Sequence, residues 1–116
     1  MQNAEIEKSK TYILIEITEY VPNSVVSRTI IRKTTGSVSV AAIDTGETLA
    51  EKISPFDSFI QIIDGDAEII IDEHSNLLKT GEAIIIPAHT SHMVKANKRF
   101  KMISTVIKSG YEGSTI

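Results

Sequence analysis

The residues able to carry chemistry are concentrated in two segments with regular spacing. The first segment reads Gly46-x5-Lys52-x-Ser54-x3-Ser58-x6-Gly65, and the second reads Gly81-x5-Pro87-x-His89-x2-His92-x3-Ala96. An ammonium group, hydroxyls and imidazoles can bind an anion or transfer protons. The chain has no cysteine, which excludes thiolate catalysis, disulfide bonds and zinc sites built on cysteine.

Short strands must position these side chains, because turn residues recur at short intervals along the chain. Between the turns lie runs rich in isoleucine and valine, at residues 24–32, 37–43, 59–63, 67–71, 83–86 and 100–107. No helix of normal length fits, and only residues 12–20 are compatible with either a strand or a short helical turn. Many short strands with turns between them predict an all-β sandwich or barrel.

Length and charge limit the architecture and the partners. We expect a single domain over residues 1–116, because this length supports one core and not two. The net charge of −3, with lysine and arginine scattered, gives no basic stripe, so we expect no nucleic-acid partner and no attraction to a membrane. Residues 1–10 are polar and contain no apolar signal segment, which favours a cytoplasmic protein.

Two strands also bear on assembly, because Ile69, Ile70 and Ile71 are consecutive, as are Ile84, Ile85 and Ile86. Successive side chains of a strand point to opposite faces, so these runs indicate that the outer face of the sheet is covered as well. A second copy of the chain is the simplest cover and predicts a homodimer. The alternative is that the N-terminal segment folds back over that face.

With these elements in place, the two spaced segments resemble the two motifs of the cupin family, G-x5-H-x-H-x3-E-x6-G and G-x5-P-x-G-x2-H-x3-N. The residues that match are Gly46, Gly65, Gly81, Pro87 and His92. Between the motifs, one hairpin around residues 73–76 is similar to that of compact single-domain cupins. The resemblance covers about residues 24–108 and implies an antiparallel double-stranded β-helix, the jelly-roll barrel of small RmlC-like cupins. The N-terminal segment is then expected outside the barrel or across a dimer.

The resemblance also implies where a metal would lie. In metal-binding cupins, two histidines, a glutamate or histidine and a final histidine hold Fe, Mn, Ni, Cu or Zn. The corresponding residues here are Lys52, Ser54, Ser58 and His92, of which only His92 is a good ligand. Because an ammonium group repels a cation and a catalytic zinc needs about three protein ligands, we expect no metal cofactor. An unusual divalent-metal site, with His89 and His92 joined by Asp57 or Glu51, is the alternative.

His92 and Lys52 each allow more than one interpretation. His92 is expected in the pocket, hydrogen-bonded to Ser54, Ser58 or water, with an acid–base role as the alternative. His89 is expected on a turn beside the pocket mouth, and His74 is most simply a surface residue of a turn. Lys52 either extends from the mouth into solvent, pairs with Asp57, or binds an anionic metabolite. If it were withdrawn from water, it could act as a base or form an imine.

Alternation along the strands predicts the rest of the pocket. The predicted ligand-binding residues are Lys52, Ser54, Ser58, Ile60, His92 and Met102. Ile62 and Ser104 are expected to point inward too, with Val40 and Ala42 facing them. Such a pocket is small and mostly apolar, which suits a small organic ligand.

Three function classes therefore remain. The favoured one is a homodimeric cupin that binds a small anionic or polar metabolite in the barrel, without a catalytic metal. The second is an enzyme, either a metal-dependent oxygenase or isomerase with an atypical site, or a metal-free isomerase or lyase using Lys52 and His92. The third is a structural or regulatory protein whose barrel is only a packed core. Fold alone does not choose among them.

Overall fold

The computed structural model describes residues 5–111, which form one 3₁₀ turn, Leu14–Glu16, and eight strands. In chain order the strands are β1 (Val25–Lys33), β2 (Gly36–Ile43), β3 (Thr48–Ile53), β4 (Asp57–Ile71), β5 (His74–Lys79), β6 (Ala83–Ile86), β7 (Ser91–Lys95) and β8 (Phe100–Ile107). The predicted all-β class is confirmed, and residues 12–20 form the short turn rather than a strand. No helix within residues 5–111 is long and apolar enough to cross a bilayer.

The strands form two antiparallel sheets that share β4. The first sheet has the order β1-β2-β8-β4-β6, and the second has the order β3-β7-β4-β5. The first half of β4 pairs with β6 and β8, and its second half pairs with β5 and β7. Because β4 passes from one sheet into the other, the two sheets curl around one interior. The predicted antiparallel barrel is therefore confirmed.

A bend at Gly65 lets β4 serve both sheets. The sequence predicts two strands with a turn at Gly65, and that detail is wrong, because β4 continues through this residue. Gly65 has a φ of +83°, and a Cβ there would lie 2.5 Å from the carbonyl oxygen of Arg99. Glycine allows the positive φ and the close approach of the neighbouring backbone. A bent strand needs both as much as a turn does, so a glycine in the sequence does not distinguish the two.

The interior is apolar and is filled from both sheets. Ile43, Ile62, Ile69 and Phe100 are completely buried there. Ala41 packs in the same cluster, whereas Val40 belongs to a separate cluster outside the barrel. The expected inward direction of Val40 and Ala42 is therefore wrong. Residues 40–43 are all buried, so hydrophobicity along β2 does not reveal which of its faces is the inner one.

The N-terminal segment covers part of the outer face of the first sheet. Ile6, Tyr12 and Ile17 pack there, together with residues that β1, β2, β4 and β8 present outward, namely Ile30, Val38, Val40, Ile63 and Ile103. The buried Lys101 holds the segment, since its Nζ donates hydrogen bonds to the carbonyl oxygens of Ile15 and, at 2.7 Å, Thr18. These bonds compensate the ammonium charge, and the segment stays fixed beside Gly65 through the hydrogen bond from Tyr20 to Asp64 at 2.8 Å.

Another part of the same outer face stays partly exposed, although one of its residues, Val38, also packs against the N-terminal segment. A row of side chains crosses five strands there, which we call the outer stripe: Ile85, Phe59, Thr105, Val38 and Ile31. Ile85 is 62% exposed and Phe59 is 40% exposed. In both isoleucine triplets the outer two residues pack in or against the interior and the middle residue faces outward, where Ile70 is half-buried and Ile85 is exposed.

Candidate ligand site

A cavity of about 120 Å³ occupies the barrel interior between the two sheets. We call it the barrel cavity. The structure brings together around it all six residues predicted for a ligand site, Lys52, Ser54, Ser58, Ile60, His92 and Met102. Six further residues complete its lining: Leu49, Ala50, Ile86, Val94, Ser104 and Val106.

The register of the strands explains why these residues meet. Lys52 on β3 is the direct cross-strand partner of His92 on β7, so the two side chains lie on the same face of the second sheet. On the first sheet, Ser58 of β4 is opposite Ile86 of β6. Each strand then places every second side chain inside, and the next residue inward on β7 is Val94.

The barrel cavity is polar at its mouth and apolar toward the closed end. Along β7 the inward residues change from His92 to Val94, and along β4 they change from Ser58 to Ile60. Strand β8 departs from this order, because the apolar Val106 is opposite Ser58 and Ser104 is opposite the deeper Ile60. A ligand that fits this gradient has one polar end and one apolar end.

His92 is the most unusual group of the site. It is 8% exposed, and its Nδ1 is buried without a geometrically formed hydrogen bond to any of residues 5–111. Burial is the main cause that lowers the pKa of His92; hydrogen bonding to the backbone of Thr90 raises the pKa, and the positive charge of Lys52 lowers it further. The imidazole is therefore neutral at pH 7. Bonds from His92 to Ser54 or Ser58 were expected, but Nδ1 makes neither.

Lys52 lies at the mouth and is exposed to solvent. It has no ion-pair partner among residues 5–111, and Asp57 is engaged elsewhere, accepting a hydrogen bond from the backbone N–H of Ala88 at 2.7 Å. Of the alternatives left open for Lys52, the pair with Asp57 is therefore not formed, and extension into solvent agrees with the structure. Because Lys52 is not withdrawn from water, the geometry gives no support to imine formation, and its charge is available to a ligand.

The rim of the mouth is fixed by hydrogen bonds between two loops. The backbone N–H of His89 donates to the carbonyl oxygen of Ser54 at 2.6 Å, and Asp57 holds Ala88 as described above. His89 itself is exposed and has a φ of +63°, in the left-handed region that favours glycine. His89 therefore lies beside the mouth as predicted, in a backbone conformation that costs free energy.

The donor set does not fit a divalent metal. The four positions that correspond to cupin ligands present an ammonium group, two hydroxyls and one imidazole, and the ammonium group repels a cation. The alternative set is not assembled either: Glu51 accepts a hydrogen bond from Ser91, and Asp57 from Ala88. Across the described residues 5–111, no three His, Asp or Glu side chains are grouped so as to hold a metal ion.

Sequence reasoning missed several lining residues. Ala50, Val94 and Val106 were not predicted, although Val94 follows His92 at the spacing of two that a strand requires. The pairing of Leu49 with Val94 also places Leu49 beside the cavity. Alternation from His92 would have found Val94, but the bulge between Leu49 and Lys52 breaks the alternation of β3.

Comparisons with solved structures agree with this architecture. A conserved protein of unknown function from Streptococcus pyogenes is 27% identical, with a TM-score of 0.87 over 95% of this chain and 96% of that one. A cupin superfamily protein from Desulfitobacterium hafniense is 22% identical, with a TM-score of 0.85 over 94% of this chain and 100% of that one. A Cupin 2 conserved barrel domain protein from Leptotrichia buccalis is 28% identical, with a TM-score of 0.81 over 84% of this chain and 47% of that one.

The chain has the cupin fold. No protein-family model matches the sequence, and no curated protein sequence matches it. The resemblance to small RmlC-like cupins is confirmed at the level of the fold, and the candidate site of this cupin-fold protein must be interpreted from its own side chains.

Proposed function

We propose that this cupin-fold protein binds a small anionic or polar molecule in the barrel cavity without a catalytic metal. The observation that carries the proposal is the barrel cavity itself, where the two sheets bring Lys52, His92 and serine hydroxyls to one mouth. Lys52 gives this mouth a positive charge, and no carboxylate among residues 5–111 lines the cavity.

Nuclear magnetic resonance tests binding directly. We expect members of a library of small polar compounds to shift the ring signals of His92 and the methyl signals of Ile60 and Met102, in a saturable manner. His74 lies on β5, is exposed, and serves as the internal control. If no compound shifts the cavity signals, or if His74 shifts equally, the barrel is a packed core and the proposal fails.

The proposed absence of a metal has its own test. Protein purified without an affinity tag should contain far less than one equivalent of any transition metal by elemental mass spectrometry, because Lys52 repels a cation and only His92 is a strong ligand. The His92→Ala variant should give the same result. Close to one equivalent that disappears in His92→Ala would contradict this expectation and favour metal-dependent chemistry.

Acid–base catalysis is the second candidate function. It is favoured by the cross-strand pairing of Lys52 and His92, which places an ammonium donor beside a neutral imidazole at one cavity wall. A metal-free isomerase or lyase needs such a pair. If a bound compound is converted over hours, and if His92→Phe abolishes the conversion, this candidate replaces simple binding.

We also propose that two copies associate through the outer stripe. The five residues of the stripe carry no charge, cross the whole first sheet and are partly exposed. An uncharged face of this kind does not complement a charged partner, whereas it complements itself around a two-fold axis. The exposed Ile13, Leu14 and Ile15 lie beside it and would enlarge the contact.

Sedimentation of two matched variants tests the dimer. Ile85 is 62% exposed and belongs to the stripe, while Leu77 is 75% exposed and points outward from the second sheet. Ile85→Lys should convert the dimer to a monomer, because it places charge in the contact, and Leu77→Lys should leave the dimer intact. A monomeric parent protein, or dissociation by Leu77→Lys alone, would contradict the proposed face.

We place the protein in the cytoplasm, with neither nucleic acid nor a membrane as partner. The support is the net charge of −3 and the absence of a basic stripe in the sequence. Cell fractionation should find the chain with the cytoplasmic marker enzymes, and its recovery in a membrane or nucleic-acid fraction would contradict this placement.

A further inference from the structure

We propose that the ligand of the barrel cavity is a short-chain aliphatic monocarboxylate, with its carboxylate between Lys52 and His92 and its alkyl chain directed toward Ile60 and Met102. The inference rests on the proposed function and adds the chemical class of the ligand. Three independent properties of the cavity determine that class: its charge, its polarity gradient and its volume.

The charge of the lining favours a single negative charge on the ligand. Among the described residues, Lys52 is the only charged one that lines the cavity, and the neighbouring His92 is neutral at pH 7. A neutral imidazole keeps one ring N–H, which can donate a hydrogen bond to a carboxylate oxygen. Lys52 and His92 are direct cross-strand partners, with Cβ atoms about 4.5–5.5 Å apart in such pairs, so one carboxylate can contact both.

The polarity gradient places the rest of the ligand. Beyond Lys52 and His92, the apolar lining toward the closed end is formed by Ile60, Val94 and Met102, whereas Ile86 is opposite Ser58 at the mouth. These side chains offer no hydrogen-bond donor, so a sugar or a dicarboxylate would leave polar groups unpaired at that end. Ser104 is the one hydroxyl at this depth. An unbranched alkyl chain matches the apolar wall.

The volume limits the length of the chain. The cavity measures about 120 Å³, and an engineered cavity of about 150 Å³ holds one benzene molecule, with its six carbon atoms. The occupant is therefore limited to about six non-hydrogen atoms. Butyrate has this size, acetate underfills the cavity, and octanoate does not fit.

Titration with sodium butyrate, followed by the ring signals of His92, is the test. Three further probes separate charge from shape: butyramide keeps the shape without the charge, n-butylamine reverses the charge, and octanoate exceeds the volume. We expect butyrate to bind about tenfold more tightly than butyramide, as loss of a hydrogen bond to a charged group implies. Butylamine and octanoate should not shift the His92 signals.

Two variants and one control locate the contact. Lys52→Met should weaken butyrate binding about tenfold and leave butyramide binding unchanged, because only the charged ligand uses the ammonium group. In His92→Phe, where the methyl signals of Ile60 and Met102 replace the missing ring signals as the readout, binding of both should be abolished while the protein stays folded, since the new ring fills the same space without a nitrogen. Lys98→Met is the matched control: Lys98 is exposed beyond the far end of β7, and its loss should change nothing.

The outcomes distinguish this inference from the proposed function. If butyramide or another neutral compound binds at His92 as well as butyrate does, the carboxylate class is overturned and binding in the barrel stands. If Lys98→Met weakens binding as much as Lys52→Met, the anion contacts the surface and the inference also fails. If neither butyrate nor any compound of the polar library shifts the ring signals of His92, both the inference and the proposed function are wrong.

Discussion

At the closed end of the barrel, Ile43, Ile62, Ile69 and Phe100 are completely buried against one another, whereas at the mouth His92 keeps a buried nitrogen without a partner. Both ends are built by the same two sheets. The closed end contains only favourable apolar contacts, and the mouth contains an unpaired polar atom, an exposed ammonium group and a left-handed histidine. Features that reduce stability are often retained where they serve a function, so the comparison supports the ligand site that we propose at the mouth.

The largest effect is expected at the closed end. Phe100→Ala should lower the free energy of unfolding by about 3–5 kcal/mol, because it removes a completely buried ring and leaves a void. Urea unfolding measures the difference. Leu77→Ala is the control, since Leu77 is 75% exposed on the second sheet, away from the proposed dimer contact, and should cost much less. Equal losses in the free energy of unfolding would contradict the difference drawn between a packed interior and an exposed surface.

A substitution at the mouth should act in the opposite direction. His92→Phe is expected to raise the free energy of unfolding by about 1 kcal/mol, because it replaces a buried polar group without a partner by an apolar ring. The same urea experiment measures it, with the exposed His74→Phe as control. A loss of stability larger than that of the control would show that Nδ1 has a stabilising partner in solution.

A smaller change in stability is expected at the rim of the mouth, where the backbone of His89 is strained. His89→Gly should raise the free energy of unfolding by about 0.5–1 kcal/mol, because glycine adopts a φ of +63° without the steric cost that a Cβ brings. His74→Gly should lower it, since His74 lies in β5 and is absent from the positive-φ residues of the described chain. Thermal unfolding of both variants decides the point, and a destabilised His89→Gly would mean that its side chain supports the rim.

The smallest expected effect is a dependence on pH. Burial lowers the pKa of His92 below its ordinary value of 6.5, so below that pH the unfolded chain takes up a proton that the folded chain resists. Stability is therefore retained in full above pH 6.5 and falls as the pH drops below it. The decrease should be smaller in His92→Phe, and denaturation of both proteins at pH 7.5 and about 5.5 measures the difference. Identical decreases would assign the dependence to other groups.

The sequence by itself determined the class of fold and most of the cavity lining. Period-two alternation and frequent turns define antiparallel strands locally, and the spacing of Lys52, Ser54, Ser58 and His92 places them on inward positions whatever the details of packing. The Asp72–Glu73 turn of the β4–β5 hairpin, with both residues at positive φ, agrees with the predicted hairpin. These features depend on neighbours in the chain, which the sequence contains directly.

Tertiary structure alone decided which face of β2 is the inner one, how β4 bends at Gly65, and what surrounds Lys52 and His92. Val40 and Ala41 are both buried, so only the position of the N-terminal segment assigns Val40 to the outside. Asp57, the carboxylate considered as a partner for Lys52, accepts a hydrogen bond from Ala88 instead, and the Nδ1 of His92 has no partner among residues 5–111. Charge compensation and burial depend on residues far apart in the chain, and no local pattern contains them.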